Sequence, residues 1–365
     1  MIKFLIPIIV IASFMIADTI EYYQYEAFRF LEFGIGARAI GMGNAVVAST
    51  NDPYSIYWNP ARLTKIDGTA FSTSVSYLYN PESKSGKPFA TFTKPQIALS
   101  YSLGDYGTIG LSGCYFNSGD DVKYLYAYEG INTDSLRPIY NESFLGMSYG
   151  NNVMRGLELG LSILLYQLTL PPNKFFSEKS EFAFSNVLGM NYELTSKISI
   201  ALIYYNSTSI FSDTHSIFVV DTIIGDSIKL DTVNVEFRVP VKRKAVIGIA
   251  YSPLEKLLLE LDIKTKESIT PFKLYLGCEY SYEPFNGEKE EPICFKMRLG
   301  LRDLLGREKI GEATFSNHAF TAGFGFTYCF LPMKGSFDYA IIYRPNICGE
   351  KHFSHTLSFG VGIIF

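Results

Sequence analysis

The last ten residues read TLSFGVGIIF (356–365), and they alternate between apolar side chains and small or polar ones. Successive side chains of a β-strand point to opposite faces, so a period of two indicates a strand whose two faces meet different surroundings. Apart from Ile364, the second face is small or polar. The stretch therefore predicts a terminal strand with one wholly apolar face. That face carries Leu357, Phe359, Val361, Ile363 and Phe365.

The same alternation recurs from Thr69 onward and predicts fourteen strands. Their connections are mostly long and short by turns, as in 118–140 followed by 150–155. An even number of strands with this asymmetry is typical of outer-membrane barrels, whose periplasmic turns are short. Because open sheet edges cannot face lipid, we predict an all-β fold, a closed antiparallel transmembrane β-barrel with both termini in the periplasm. The predicted strands span approximately 69–79, 94–103, 107–117, 141–149, 156–168, 181–194, 197–207, 243–252, 256–265, 272–283, 293–303, 318–331, 335–344 and 355–365.

Two alternatives compete with this barrel. Residues 216–239 alternate in part and could add two strands, for a total of sixteen. Asp221 and Asp231 interrupt their apolar faces, so an external hairpin is the preferred interpretation. A soluble β-sandwich or a secreted barrel would also show alternation, but strands of about ten residues exceed the five or six that are usual in globular proteins.

Composition agrees with a barrel and excludes other classes. Aromatic residues make up 15% of the 365 residues, yet the mean hydropathy is only +0.11, far below that of a helical membrane protein. Strands that turn every second residue to lipid give this profile. The net charge is −4, without the positive excess that is typical of nucleic-acid-binding proteins, so no nucleic-acid partner is predicted.

The first residues have the features of a secretory signal peptide. Lys3 precedes an apolar run from Phe4 to Ile16, and Ala17 offers a small residue at a cleavage site. A transmembrane anchor is the weaker interpretation, because the run is shorter than the roughly 20 residues that a spanning helix needs. We therefore predict that residues 1–17 are removed on export to the bacterial outer membrane.

Between this leader and the strands lies a segment rich in glycine and small apolar residues, Gly34 to Leu63. We predict that residues 18–68 form a periplasmic-side hatch that plugs the lumen, and that 69–365 form the barrel. Asn51 or Asp52 can cap a short helix with Pro53 at its first position. That helix should end by Asn59, because a following proline disfavours helical backbone.

The reactive side chains form no recognisable catalytic or metal-binding motif. The five cysteines (114, 278, 294, 329 and 348) include no CxxC pair, and the four histidines are scattered. In the predicted register Cys278 and Cys294 lie on opposite faces of adjacent strands and cannot pair. We predict no enzyme activity, no cofactor and no metal.

Charged residues mark the inner face of three predicted strands. A charge on the lipid face near the midplane costs about 2–4 kcal/mol, so these side chains are predicted to point into the lumen. They could form a structural network that stiffens a filled lumen. They could also dock the hatch, for instance through Arg38, or line a ligand path. The predicted lumen charges are Glu260, Asp262, Lys264, Lys273, Glu279, Lys296, Arg298 and Arg302.

The hatch sequence resembles a known family. The run from Gly34 to Gly43 (GIGARAIGMG), followed by Tyr57-Trp58-Asn59-Pro60-Ala61, resembles the FadL-type outer-membrane proteins, and most closely their PorV/PorQ branch. The likeness covers about thirty residues. Asn44 and Arg62 depart from the glycine that the branch often has at these positions. The resemblance implies a fourteen-stranded barrel, and the terminal Phe365 is similar to the insertion signal of such barrels.

The resemblance implies two different functions. The first is a plugged conduit for hydrophobic small molecules such as fatty acids, in which the hatch shifts. The second is a PorV-like accessory of type IX secretion, which holds secreted protein cargo at the outer membrane. A purely structural barrel with an immobile plug is a third class. The conduit is preferred, with outer-membrane lipid as its surroundings. Its implied ligand path comprises Gly34, Gly36, Arg38, Gly41, Gly43, Trp58, Asn59, Pro60 and Ala61.

Overall fold

A computed structural model describes most of the chain from Gly34 to Ile364. The predicted signal peptide, the residues up to Phe33, Cys348 and Phe365 lie outside the described residues. The described ranges are 34–79, 93–117, 141–170, 179–224, 227–241, 243–265, 272–284, 293–305, 307–310, 313–316, 318–330, 332–347 and 350–364.

The main sheet is a closed antiparallel barrel of fourteen strands. The first strand pairs with the last, with Thr69 opposite Ile363, so the ring has no free edge. The strands are β1 (Thr69–Tyr79), β2 (Thr93–Ser102), β3 (Thr108–Asn117), β4 (Asn141–Met154), β5 (Leu157–Leu170), β6 (Lys179–Thr195), β7 (Ile198–Tyr205), β8 (Thr208–Ile224), β9 (Ser227–Val241), β10 (Lys244–Leu254), β11 (Leu257–Thr265), β12 (Phe272–Tyr282), β13 (Ile293–Arg302), β14 (Arg307–Ile310), β15 (Ala313–Ser316), β16 (Ala319–Phe330), β17 (Met333–Ile347) and β18 (Glu350–Ile363).

Four strands lie outside the ring. β8 and β9 pair with each other as a separate two-stranded sheet, while β7 pairs directly with β10. The prediction of fourteen barrel strands is therefore confirmed, and the sixteen-strand alternative is wrong. The predicted loop 304–317 contains a second hairpin, β14 and β15, which the sequence analysis missed. Both hairpins leave the same end of the barrel, here called the distal end; β1 begins at the opposite, proximal end.

The two faces of the barrel differ as the alternation predicts. Along β13, Met297 and Leu299 are 59% and 66% exposed on the outside, whereas Arg298 between them is 3% exposed inside. Charged side chains are buried inside and apolar side chains are exposed outside, which is the reverse of the usual arrangement in a soluble protein. Of the predicted lumen charges, Lys264 and Lys296 are half-buried and the others are buried. The buried ones are Glu260, Asp262, Lys273, Glu279, Arg298 and Arg302.

The helices of the described chain are short and precede or connect the strands. They are α1 (Ala37–Gly41), α2 (Ser55–Trp58) and two 3₁₀ helices, Pro60–Lys65 and Gly104–Tyr106. Among the described residues, no helix is both long enough and apolar enough to cross a bilayer. The cysteines at 114, 278, 294 and 329 are free thiols.

Replacing residues 208–241 with a short glycine–serine loop tests the separation of the β8–β9 hairpin from the ring. We expect the barrel to fold, because Tyr205 of β7 and Lys244 of β10 already face each other in register. Far-UV circular dichroism and the mobility difference between unheated and heated protein on gels measure this. Deletion of 319–347 removes two ring strands and should abolish the folded band. Loss of the folded band in the hairpin deletion would contradict the topology.

Candidate functional site

The segment from Gly34 to Ile66, here called the N-terminal segment, lies against the inner wall of the barrel. Every residue from 34 to 50 and from 53 to 63 is buried. Its backbone hydrogen-bonds to inward-facing side chains of several ring strands, such as Gln96 of β2, Thr321 of β16 and Asp262 of β11. The residues of the implied ligand path all lie in this buried segment. The path residues are Gly34, Gly36, Arg38, Gly41, Gly43, Trp58, Asn59, Pro60 and Ala61.

The local structure around α2 corrects one prediction. The helix begins at Ser55 and not at Pro53. The Asp52 carboxylate accepts the Tyr54 amide at 2.9 Å, as a cap at the predicted position would, but Pro53 and Tyr54 form a turn that precedes the helix. The predicted end is confirmed, since Asn59 is extended. The Asn59 side chain accepts the Ala61 amide at 3.0 Å and so caps the 3₁₀ helix that follows.

A chain of four charged side chains joins the N-terminal segment to the wall. Arg38 Nε lies 3.1 Å from Glu279 Oε2, and Arg298 Nε lies 2.6 Å from the same oxygen. Arg298 Nη1 also contacts Asp338 Oδ1 at 2.6 Å. Burial lowers the pKa of Arg38, but the negative charges of Glu279, Asp52 and Glu260 together outweigh that effect and hold the pKa above its ordinary value. One carboxylate thus links a guanidinium of the segment to one of the barrel.

Two carboxylates on β11 hold a turn of the segment. Asp262 Oδ2 accepts the Val46 and Val47 amides at 2.9 and 3.2 Å, and Glu260 Oε1 accepts the Ala48 amide at 2.6 Å. Being two residues apart on one strand, both acids face the lumen. Three hydrogen bonds therefore tie the turn to one strand of the wall.

Glycines let the segment approach the wall backbone to backbone. Gly43 has a φ of +67°, which favours glycine, and it lies directly on β13. A Cβ at Gly300 would come within 2.2 Å of the Gly43 amide nitrogen. A Cβ at Gly277 would come within 2.6 Å of the Met42 carbonyl oxygen. These two wall glycines therefore fit the backbone of the segment and leave no room for a side chain.

A second close contact holds the other end of the segment. A Cβ at Gly160 of β5 would lie 2.2 Å from the Ala61 amide nitrogen, and one at Gly189 of β6 would lie 2.3 Å from Asn59 Oδ1. Inside the segment, the Trp58 indole donates to the Ile35 carbonyl at 2.9 Å. The two ends of the segment are therefore tied to each other as well as to the wall.

Ion pairs that the sequence analysis missed lie near the proximal end. Lys65 Nζ contacts Glu193 at 2.6 Å and Glu158 at 2.9 Å, and Arg62 Nη1 contacts Glu158 at 3.3 Å. Alternation along β5 places Glu158 on the inner face, which is the signal that could have found it. Their partners Arg62 and Lys65 lie on the 3₁₀ helix, where no periodic pattern in the sequence predicts which side chains face the wall.

Not all of the predicted lumen charges meet the N-terminal segment. Lys273 Nζ and Arg302 Nη2 each lie 3.5 Å from the carboxylate of Asp303, which also accepts the Tyr275 hydroxyl at 2.7 Å. This cluster lies at the distal ends of β12 and β13. It ties neighbouring strands together, which agrees with the structural interpretation of these charges.

A cavity of about 30 Å³ lies between the segment and the wall formed by β7, β10, β11 and β12. Tyr57 and Trp58, which line it, immediately precede Asn59-Pro60-Ala61. A cavity of this size has room for one or two waters, whereas one of about 150 Å³ holds benzene. The other lining residues include Val47, Tyr205, Val246 and Asp262.

Comparison with solved structures shows that the barrel has a known fold. The CymD monoaromatic hydrocarbon channel matches at 14% identity with a TM-score of 0.59, over 93% of this chain and 99% of that one. The Ralstonia pickettii toluene transporter TbuX matches at 14% identity and 0.58, over 92% and 100%. A Pseudomonas aeruginosa FadL homologue matches at 11% and 0.53, over 89% and 96%. Identities this low show a shared fold alone.

Sequence comparisons give no closer relation. No protein-family model matches the chain, and no curated protein matches it either.

Substituting Gly300 tests the backbone contact. We expect Gly300→Ala to lower the free energy of unfolding by about 1–3 kcal/mol, because the added methyl overlaps the Gly43 amide and forces the segment outward. Urea unfolding of the protein in detergent measures this. Gly335→Ala is the matched control, since its Cβ would meet nothing closer than 4.0 Å. Equal effects of the two substitutions would contradict the contact.

Glu279→Ala tests the shared carboxylate. We expect a loss of about 3–5 kcal/mol in the free energy of unfolding, because two buried guanidinium groups lose their common partner. Asp338→Ala is the control and should lower the free energy of unfolding by less. The Asp338 side chain is 18% exposed and contacts Arg298 but not Arg38. A larger loss in Asp338→Ala would show that the link to Arg38 contributes little.

Proposed function

We propose that the protein is an outer-membrane barrel that conducts hydrophobic small molecules, with the N-terminal segment as its hatch. The observation that carries this proposal is the burial of the N-terminal segment against the inner wall. The cavity beside that segment is lined by Tyr57, Trp58, Tyr205 and Tyr275 together with polar side chains. A lumen closed in this way excludes ions and sugars, while a local rearrangement can admit an apolar solute.

The outer surface supports the membrane location. Apolar side chains face outward on the ring strands, including Phe184 (70% exposed), Leu299 and Met147. A closed barrel leaves no strand edge without hydrogen bonds, as the hydrocarbon core of a bilayer requires. We infer that the distal hairpins face the cell exterior and that the predicted signal peptide, 1–17, directs export.

The nature of the solute follows from the cavity and from the fold. Solved proteins of this fold include a monoaromatic hydrocarbon channel and a toluene transporter. Tyr57, Trp58, Tyr205 and Val246 give the cavity an apolar side, and its polar side carries Asn44, Lys244, Asp262 and Lys264. We infer that the solute is a small apolar molecule or the chain of a fatty acid. At about 30 Å³ the cavity is too small for either, so passage requires movement of the hatch.

A second candidate is the secretion accessory of the PorV type. The supporting observation is the β8–β9 hairpin, which spans 208–241 and contributes nothing to closing the ring. An exterior hairpin of that length offers strands to which a secreted protein could bind. Recovery of exported proteins with the full-length chain from native membranes, and their loss on replacement of 208–241, would favour this function.

Uptake by bacterial cells that lack a hydrophobic-solute channel of their own tests the conduit. Cells that produce the full chain should take up radiolabelled toluene or oleate several-fold faster than cells that produce an unrelated barrel. Sucrose entry should stay unchanged, because the segment closes the lumen. Deletion of 34–66 is the control, and it should admit sucrose if the barrel still inserts. Uptake of neither probe above background would refute the conduit.

A further inference from the structure

The N-terminal segment is held in different ways along its length. Near its start, Gly43 lies against Gly300, and near its end, Ala61 lies against Gly160, both by direct backbone approach. Close-packed backbone contacts of this kind cannot slide without clashes. Between them lies the turn Val46–Ala48, here called the gate turn. Its amides are held by side chains of the wall.

The hydrogen bonds of the gate turn are of a kind that water can replace. Its three amides donate to Asp262 and Glu260. The Val47 carbonyl accepts from the Asn59 side chain at 2.7 Å, and the Ala48 carbonyl accepts from the Ser199 hydroxyl at 3.2 Å. The Val46 carbonyl accepts the Ser49 and Thr50 amides, which move with the turn or release it. A bond between an amide and a carboxylate exchanges for bonds to water at a small net cost when water can reach both groups.

The cavity brings water to these bonds. Val47 and Asp262 both line it. Asp262 is 1% exposed, and its second oxygen, Oδ1, accepts no amide of the N-terminal segment. A water in the cavity can therefore bind this carboxylate and compete with the Val46 and Val47 amides. Neither backbone contact at the ends of the segment borders the cavity.

Movement of the gate turn would enlarge the cavity. The Val47 side chain lies between the turn and β10, so close that a Cβ at Gly248 would come within 2.3 Å of its Cγ2. Withdrawal of Val47 from that wall joins its volume to the space beside Tyr57 and Tyr205. The rest of the segment keeps its position, because its contacts lie elsewhere.

We propose that the gate turn alone moves to open the lumen, while α1 and the 3₁₀ helix at Pro60–Lys65 stay fixed to the wall. Glu260 and Asp262 are positioning residues that hold the turn closed. This inference rests on the proposed conduit, and it names the part of the hatch that moves. It differs from a hatch that shifts as one body.

Two engineered disulfides distinguish movement of the gate turn alone from movement of the whole N-terminal segment. In a chain with its native cysteines replaced by alanine, the pair Val47→Cys and Gly248→Cys joins the gate turn to β10. The pair Gly41→Cys and Gly323→Cys joins α1 to β16, where a Cβ at Gly41 would lie 3.3 Å from the Gly323 Cα. Both pairs bring the two backbones close enough for a short cross-link.

We expect oxidation of the gate-turn pair to lower uptake of toluene or oleate at least tenfold, with recovery on reduction. The α1 pair should keep its uptake within twofold in both states. Loss of uptake in the oxidised α1 pair, or full uptake in the oxidised gate-turn pair, would overturn the proposal. The reduced proteins serve as folding controls.

Hydrogen exchange tests the gate turn without any solute. In Glu260→Gln with Asp262→Asn, the amides of Val46, Val47 and Ala48 should exchange at least tenfold faster than in the unsubstituted protein. The amides of α1 and of 61–65 should be unchanged. Equal acceleration from 34 to 66 would show that the segment moves as one body and would overturn the inference. Absence of uptake by the unsubstituted protein would refute the conduit alone, because exchange reports on the turn directly.

Discussion

A charge in the lumen of this barrel has to be paired, and that requirement joins the N-terminal segment to the wall. Apolar side chains occupy the outside of the strands, and the buried charged side chains of the strands lie on the inside with small and apolar ones. Glu279 is neutralised by one guanidinium from each partner, and Glu260 and Asp262 accept backbone amides of the segment. Without the segment these acids would lose their donors in a place where isolated charge is costly.

The fold could be predicted from the sequence because its signal is repeated. Every ring strand shows the period of two, and the predicted boundaries lie within a few residues of the observed ones. β14 and β15 were not predicted, because strands of four residues are too short to show a period of two. The inward direction of Glu260 and Asp262 followed from the same alternation. Their partners could not be predicted, because backbone amides are the same in every residue.

Glycine illustrates the difference between composition and role. The resemblance implies that the glycines at 34, 36, 41 and 43 lie along the ligand path of a hatch that shifts. In the structure Gly34, Gly36 and Gly43 have positive φ, and Gly43 lies against the wall. Glycine inside a strand, as at Gly277 and Gly300, marks close approach of another backbone. These glycines thus fix the segment in place, and the mobility proposed here belongs to a turn without glycine.

The pairing of β1 with β18 has a consequence for how the protein is assembled. Thr69 and Ile363 are neighbours in space although most of the chain lies between them, so the ring closes only when β1 meets β18. The entropy of closing so long a loop makes this a slow and late event. Since the Ala37 amide of α1 donates to Ser358 of β18, one of the two strands at this seam also binds the N-terminal segment. Closing the ring and holding the segment therefore depend on the same strand.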